Sequence, residues 1–357
     1  MNRVRYMRQT LLKDFGAEGQ QKLSKARVLV IGAGGLGVPV LTYLNAMGVG
    51  TLGIADQDEV SLSNLHRQVL YGEGDIGRSK VAVAIEKLAA QNPETRLIGH
   101  ESYLTRENAL DILSGYDAVV DASDNFPTRY LVNDTCVLLN KPLVYGALHG
   151  YEGQVSVFNY QGGPTYRCLF PVRPASDEVP NCNEHGVLGI LPGIIGNLQA
   201  LETVKLLTGL GKVLSGELLL FNGLDQSYQK IRFAANKANL ECNQLEADYG
   251  WEDFCEVVPS ITATELQGML GSNEEVQLID VRTPEEFEQY SIPKSLNIPL
   301  DQFPEGANRI NPERPVYLLC QSGQRSVTAL KLLREQHKSA ELFNVEGGIE
   351  RFHALTH

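Results

Sequence analysis

Two constellations of residues in this chain could do covalent chemistry. The first is CQSGQRS, Cys320 to Ser326, where a thiol ends an apolar run and Arg325 follows after four intervening residues, Gln321 to Gln324. A cysteine in that setting is a nucleophile candidate. Backbone N–H groups of a tight turn and the terminus of the next helix favour a thiolate, and a fixed arginine charge adds to them. The second is GAGGLG, with Gly32, Gly34 and Gly37 in GxGxxG spacing and Gly35 as a further point of close backbone approach. Glycines there let phosphates approach the backbone at a helix N-terminus, and Asp56, at the end of the next strand, is placed to accept from a ribose. That fingerprint alone does not separate a nicotinamide dinucleotide from ATP. DQDEVSLSNLHRQ and GRSKV then place Asn64, Arg67 and Lys80 after the ribose position. Two fixed cations suit a triphosphate better than a pyrophosphate. Asp124, in DASDN, falls where ligands of open α/β sheets gather and could hold Mg²⁺ on phosphate oxygens.

The elements that position these residues read as alternating strands and helices. ARVLVI, TLGIAD and YDAVVDASDN read as strands; LGVPVLTYLNAMGVG and SKVAVAIEKLAAQNP read as helices, the latter with Val81, Ile85 and Leu88 on one face. GIIGNLQALETVKLLTG reads as a long buried helix. The expectation is an α/β fold: a Rossmann-like nucleotide-binding domain with a mostly parallel sheet over residues 1–245. An acidic, aperiodic stretch over 246–258 reads as a linker. Over 259–357 the alternation restarts on a smaller scale, in VQLIDVR, TPEEFEQY, PVYLLC, SVTALKLLREQ and AELFNVEGG, as expected of a second, smaller α/β domain.

Composition narrows the partners. Of 357 residues 43% are hydrophobic, which is ordinary for a globular protein, and the formal net charge of −12 disfavours nucleic acid or an anionic membrane. The most apolar run, Val187 to Gly196, contains Pro192 and is too short to span a bilayer. Six cysteines without a secreted framework imply a reducing, cytoplasmic setting.

Taken together, RYMRQ, GAGGLG, SLSNLHRQ, GRSK and DASDN resemble, in order, the MoeB/ThiF family of ubiquitin-activating-type adenylyltransferases, and the resemblance runs to about residue 245. It implies that ATP adenylates the C-terminal glycine of a small ubiquitin-fold sulfur carrier ending in Gly-Gly. It further implies ribose binding by Asp56, phosphate contacts by Asn64, Arg67 and Lys80, Ser63 as a further nucleotide-binding residue, Mg²⁺ at Asp124, and Asn125 lining the site. Arg8 would enter the ATP site of a second protomer, implying a homodimer; without the resemblance Arg8 would read as a solvated surface charge. Cys182, in the polar loop VPNCNEHGVLG, matches a family cysteine that bonds covalently to the activated carrier. Many relatives also carry two CxxC pairs that hold a structural zinc. Here Thr165-Tyr-Arg-Cys168 and Cys242-Asn-Gln-Leu245 have each lost one ligand, so no zinc is expected unless Cys255 or a histidine supplements them. Cys136 reads as a small buried apolar residue.

LIDVRTPEEF, VYLLCQSGQRSVTAL and GGIERF resemble a single rhodanese domain over about residues 259–357, with Asp280 and Arg282 bracing the loop. Related phosphatases place one more residue between cysteine and arginine; the four present match a sulfurtransferase loop, so a Cys320 persulfide is expected. The combined reading is a carrier-adenylating enzyme with its own persulfide centre, supplied by a donor such as a cysteine desulfurase and serving molybdopterin, thiamine or tRNA thiolation. A nicotinamide-dependent oxidoreductase and a non-catalytic scaffold are the rivals; Arg67 and Lys80 speak against the first, Cys320 and Arg325 against the second.

Overall fold

A computed structural model describes residues 4–174, 186–249, 259–271, 276–323, 325–337 and 340–356. The chain divides into two compact units, Met1–Phe254 and Cys255–His357. Among the described residues no helix is long and apolar enough to cross a membrane.

The front unit is built on an eight-stranded sheet in the order β3-β2-β1-β4-β5-β6-β7-β8. Its strands are β1 Arg27–Ile31, β2 Thr51–Ala55, β3 Arg96–His100, β4 Ala118–Asp121, β5 Leu143–His149, β6 Glu152–Phe158, β7 Glu217–Asn222 and β8 Ser227–Arg232. The first five pair in parallel and the last three antiparallel. RVLVI and AVVD are continuous apolar runs because helices cover both faces of the parallel half. SYQKIR of β8 is almost wholly exposed, and Lys230 and Arg232 blunt the sheet edge there.

The strand order reverses between β1 and β4, which leaves a crevice at their carboxyl ends. The turn into the Gly37–Ala46 helix depends on two glycines. Gly32 has φ +94°, and a Cβ on it would lie 2.6 Å from the Ala122 carbonyl oxygen. A Cβ on Gly37 would lie 1.8 Å from the Gly32 carbonyl oxygen, so the helix packs down on the loop only without a side chain.

The linker reading begins too early. Leu245 and Tyr249 are buried in the front core, and Glu246 pairs with Arg167 at 2.7 Å. Residues up to 249 therefore pack with the front unit, and 250–258 lie outside the described residues.

The rear unit is a five-stranded parallel sheet in the order β11-β10-β12-β13-β9. Its strands are β9 Ser260–Thr262, β10 Gln277–Asp280, β11 Leu296–Asn297, β12 Val316–Leu319 and β13 Leu342–Glu346. Separate apolar clusters lie about this sheet, one including Phe303, Leu318 and Leu330, the other Leu266, Leu319 and Phe352. Thr283 caps the Pro284–Gln289 helix in a reciprocal capping box with Glu286.

Candidate active sites

The crevice beside β1 and β4 opens into a cavity of about 400 Å³, within the range of small-ligand sites. Gly32, Gly34, Gly35, Asp56, Asn64, Arg67, Lys80, Asp124 and Asn125 all line it. Three of the residues singled out in the sequence do not. Gly37 supports the loop from behind, as its contact with Gly32 shows. Ser63 is exposed, and its carbonyl accepts from the Arg67 guanidinium at 3.1 Å. Arg8, in the Met7–Thr10 helix, is exposed. Cys182 falls within 175–185, outside the described residues.

Each lining side chain is held by its own element. Asp56, just past β2, accepts from the Ala33 N–H at 2.6 Å and the Asp58 N–H at 2.8 Å. Burial pushes its carboxyl above the usual range, and the nearby Lys80 charge opposes that shift. Lys80 opens the Lys80–Gln91 helix, which Ser79 caps; its ammonium is buried and paired with the exposed Asp58 at 2.7 Å. Asn125 caps the Phe126–Leu138 helix by accepting from the Thr128 N–H at 2.9 Å, and this fixes the loop that carries Asp124.

Buried polar lining residues missed in the sequence are Gln68, Ser123, Thr128 and Arg129. Arg129 had a legible signal. It sits in the first turn of the Phe126–Leu138 helix, where the helix dipole disfavours a cation, so something else must hold it there.

In the rear unit Cys320 ends β12 and is 1% exposed. Its Sγ accepts from the Gly323 N–H at 3.1 Å, with Gly323 at φ +94° turning that N–H inward. The Ser326 hydroxyl lies 3.4 Å from Sγ, but its single proton is better spent on Asn344 Oδ1 at 2.6 Å. The Gly347–Gly348 turn closes over the loop, and the Ile349 N–H donates to the Cys320 carbonyl at 2.8 Å.

Arg325, expected from the sequence to add a fixed positive charge, is paired. Its guanidinium grips Glu286 at both carboxylate oxygens, at 2.8 and 2.6 Å. The Arg325 hydrogen bonds hold the Glu286 carboxyl down to about 2. Asp280 and Arg282 form a buried pair at 2.7 Å, and Arg282 also donates to the Tyr290 carbonyl. A cavity of about 480 Å³ lies beside this loop, lined by Arg282, Glu286, Tyr290, Gln321, Glu350 and His353 among others, and Cys320 does not line it.

The four positions of the split CxxC pattern do not fit a closed zinc site. Thr165 is buried with its hydroxyl donated to the Asn239 carbonyl at 2.7 Å, and Leu245 is in the apolar core. Cys168 Sγ accepts from the Asn236 N–H at 3.3 Å. Arg167 ties the region together, bonded to both oxygens of the buried Asp134 at 2.7 Å and to Glu246 at 2.7 Å.

The ThiF family model matches residues 6–244, and the rhodanese-like domain model matches residues 262–355. The chain belongs to the ThiF family. The match to the adenylyltransferase and sulfurtransferase MOCS3 of Aedes aegypti is 40% identical over 378 residues, covering 99% of this chain and 86% of the relative. A sulfur carrier protein adenylyltransferase of Thermus thermophilus is 54% identical over 259 residues, covering 70% of this chain and 96% of the relative. E. coli MccB, solved with AMPCPP and MccA, shares the fold at TM-score 0.61 and 20% identity, over 68% of this chain and 75% of that one. This ThiF-family chain is thus an ATP-using adenylyltransferase joined to a rhodanese-type sulfurtransferase.

Proposed function

We propose that the front cavity binds ATP and the terminal glycine of a ubiquitin-fold sulfur carrier ending in Gly-Gly, and that Cys320 supplies the sulfur. The observation that carries this is the convergence of Asp56, Arg67, Lys80 and Asp124 on one glycine-lined cavity in a chain that also holds a capped Cys320 loop.

A carboxylate is a poor electrophile. Its attack on the α-phosphorus of ATP forms an acyl-phosphate bond, breaks the bond to the bridging oxygen and releases pyrophosphate. That step needs in-line placement and neutralised charge more than an acid or base. Asp56 holds the ribose, and Gly34, open to the cavity, lets phosphate approach the backbone. Arg67, Lys80 and Asn64 contact phosphate oxygens; Lys80 reaches them by exchanging its exposed partner Asp58. Asp124 is an oxygen donor of the kind Mg²⁺ takes, and a divalent cation there would neutralise phosphate charge.

A persulfide on Cys320 then attacks the acyl carbon through its terminal sulfur, and AMP leaves. The resulting acyl disulfide is cleaved by a thiol, which is oxidised to a disulfide as the carrier thiocarboxylate departs. In a second order of the same steps the Cys182 thiolate takes the acyl group from AMP as a thioester, and the Cys320 persulfide then displaces Cys182 from it. Arg8 completes the ATP site of a second protomer in a homodimer. A cysteine desulfurase is the type of donor that loads Cys320, and the product serves molybdopterin, thiamine or tRNA thiolation in the cytoplasm.

The test is incubation with ATP, a Gly-Gly-ending carrier and a persulfide donor. Pyrophosphate release that depends on the carrier, with one sulfur gained by the carrier, is the expected result. Absence of carrier-dependent pyrophosphate exchange would sink the reading.

A further inference from the structure

The nucleotide cavity is lined by three cations, and they differ in how their charge is met. Lys80 is paired with Asp58 at 2.7 Å. Arg67 is half-buried and bonded to the Ser63 carbonyl. Arg129 is 7% exposed, makes no ion pair among the described residues, and its buried Nε has no hydrogen-bond partner. Its one hydrogen bond runs from Nη2 to the Ser123 carbonyl at 3.2 Å. The guanidinium otherwise rests against the rings of Phe126 and Tyr145, 5.3 and 5.6 Å from their centroids. The carboxylates of Asp121 and Asp124 favour its charged form, so what is left unmet is the Nε–H, a buried donor that is costly without an acceptor.

Its place in the fold says which acceptor. Asp56, Arg67 and Lys80 come from β2 and the segment after it, on the ribose and phosphate wall. Arg129 stands on the helix after β4, beside Asn125 and Thr128, on a wall continued by His149 and Gly150 at the end of β5. Adenylation brings two anions into one cavity, a triphosphate and a carboxylate. The β2 wall already holds cations for the first.

We infer that Arg129 is the carboxylate-binding residue of the adenylation site, meeting the terminal carboxylate of the carrier through its guanidinium. This rests on the carrier reading above. The two ring faces keep the guanidinium in place between turnovers.

The test reads binding rather than turnover. The probes are a ubiquitin-fold carrier ending in a Gly-Gly carboxylate and the same carrier ending in an amide, each titrated onto the full-length protein with a non-hydrolysable ATP analogue present. The wild-type protein is expected to prefer the carboxylate form at least tenfold. Arg129→Met should bring that ratio to about one while the affinity for the analogue alone stays within twofold. A folded Arg129→Met that keeps the wild-type ratio, or one that loses analogue affinity as strongly as carrier affinity, would overturn the assignment. Should Arg129→Met not fold, Arg129→Lys keeps the charge but not the planar donor; the ratio should then fall at least threefold, and an unchanged ratio overturns the claim. A wild-type protein that binds neither carrier defeats the proposed function itself, and with it the carboxylate role that rests on it.

Discussion

In the front unit the residues around the cavity come from many elements: the turn after β1, the end of β2, the head of the Lys80–Gln91 helix, and the loop and first turn after β4. In the rear unit the thiol, the inward N–H of Gly323 and the start of the next helix fall within seven consecutive residues. The front site is assembled by tertiary packing, so its charges can be buried and left for substrates to complete. The rear site is assembled by local backbone conformation, so it meets the cysteine sulfur with an N–H and keeps its arginine paired. Lys80 and Arg325 share one device even so, since each holds its charge against a carboxylate that is not deeply buried.

If the two sites are separate chemistries in one chain, each should fail alone. Cys320→Ala removes the sulfur on which the proposed persulfide is built, and sulfur transfer to the carrier should fall roughly 10³-fold or more. Pyrophosphate exchange in that variant should stay within twofold. The converse is Lys80→Ala, which removes a charge held ready for phosphate oxygens; exchange should fall roughly 10²–10³-fold. Sulfur transfer from thiosulfate to cyanide, which needs no ATP, should be unchanged. Loss of both activities in either variant would show the sites to be coupled.

The same contrast explains what could be read from the sequence. CQSGQRS was legible because its conformation is local: glycine spacing, a strand end and a helix start all lie within the motif. The GxGxxG turn, Asp56 and Lys80 were legible because each marks the end or start of an element. Arg129 and Gln68 were not singled out, because their role depends on which strands become neighbours, and β1 beside β4 is a long-range fact. Ser63 was assigned to the cavity from its place in a motif, yet the 3-10 turn Leu62–Asn64 leaves it exposed while Asn64 lines the site. The partner of Arg325 was not legible because Glu286 lies in a different helix. The linker was begun too early because acidic composition said nothing of Tyr249, whose hydroxyl reaches the buried Asp134 at 2.8 Å.

That last segment carries the third test. Where a zinc would close the front unit, Arg167 bridges Asp134 and Glu246, and Asp134 is 3% exposed. Arg167→Met leaves that carboxylate buried against only Tyr249 and Asn133, and should cost about 3 kcal/mol in thermal or denaturant unfolding. A chelator should leave the wild-type midpoint unmoved. One tightly bound zinc per chain, with a chelator-sensitive midpoint, would show that the metal and not Arg167 makes this closure.

The smallest effect is expected in the rear unit. The hydrogen bonds from Arg325 hold the Glu286 carboxyl down to about 2 in the folded protein, below its ordinary value of 4.5. A carboxyl lowered in the folded state contributes its stability above the unfolded pKa and loses it as pH falls through the folded one. The pair is therefore intact at pH 6 and fades between about 4.5 and 2. Side-chain exposures of 35% and 31% let solvent screen it, so it is worth on the order of 0.5–1 kcal/mol despite its two-point geometry. Glu286→Gln should lower the unfolding free energy by that amount at pH 6, and the gap to wild type should shrink as pH falls through 4 towards 3. If Glu286 were instead a strut that holds the loop by shape alone, the gap would be independent of pH. The local device of the rear unit would then owe nothing to charge, and the contrast with the buried cations of the front cavity would be sharper still.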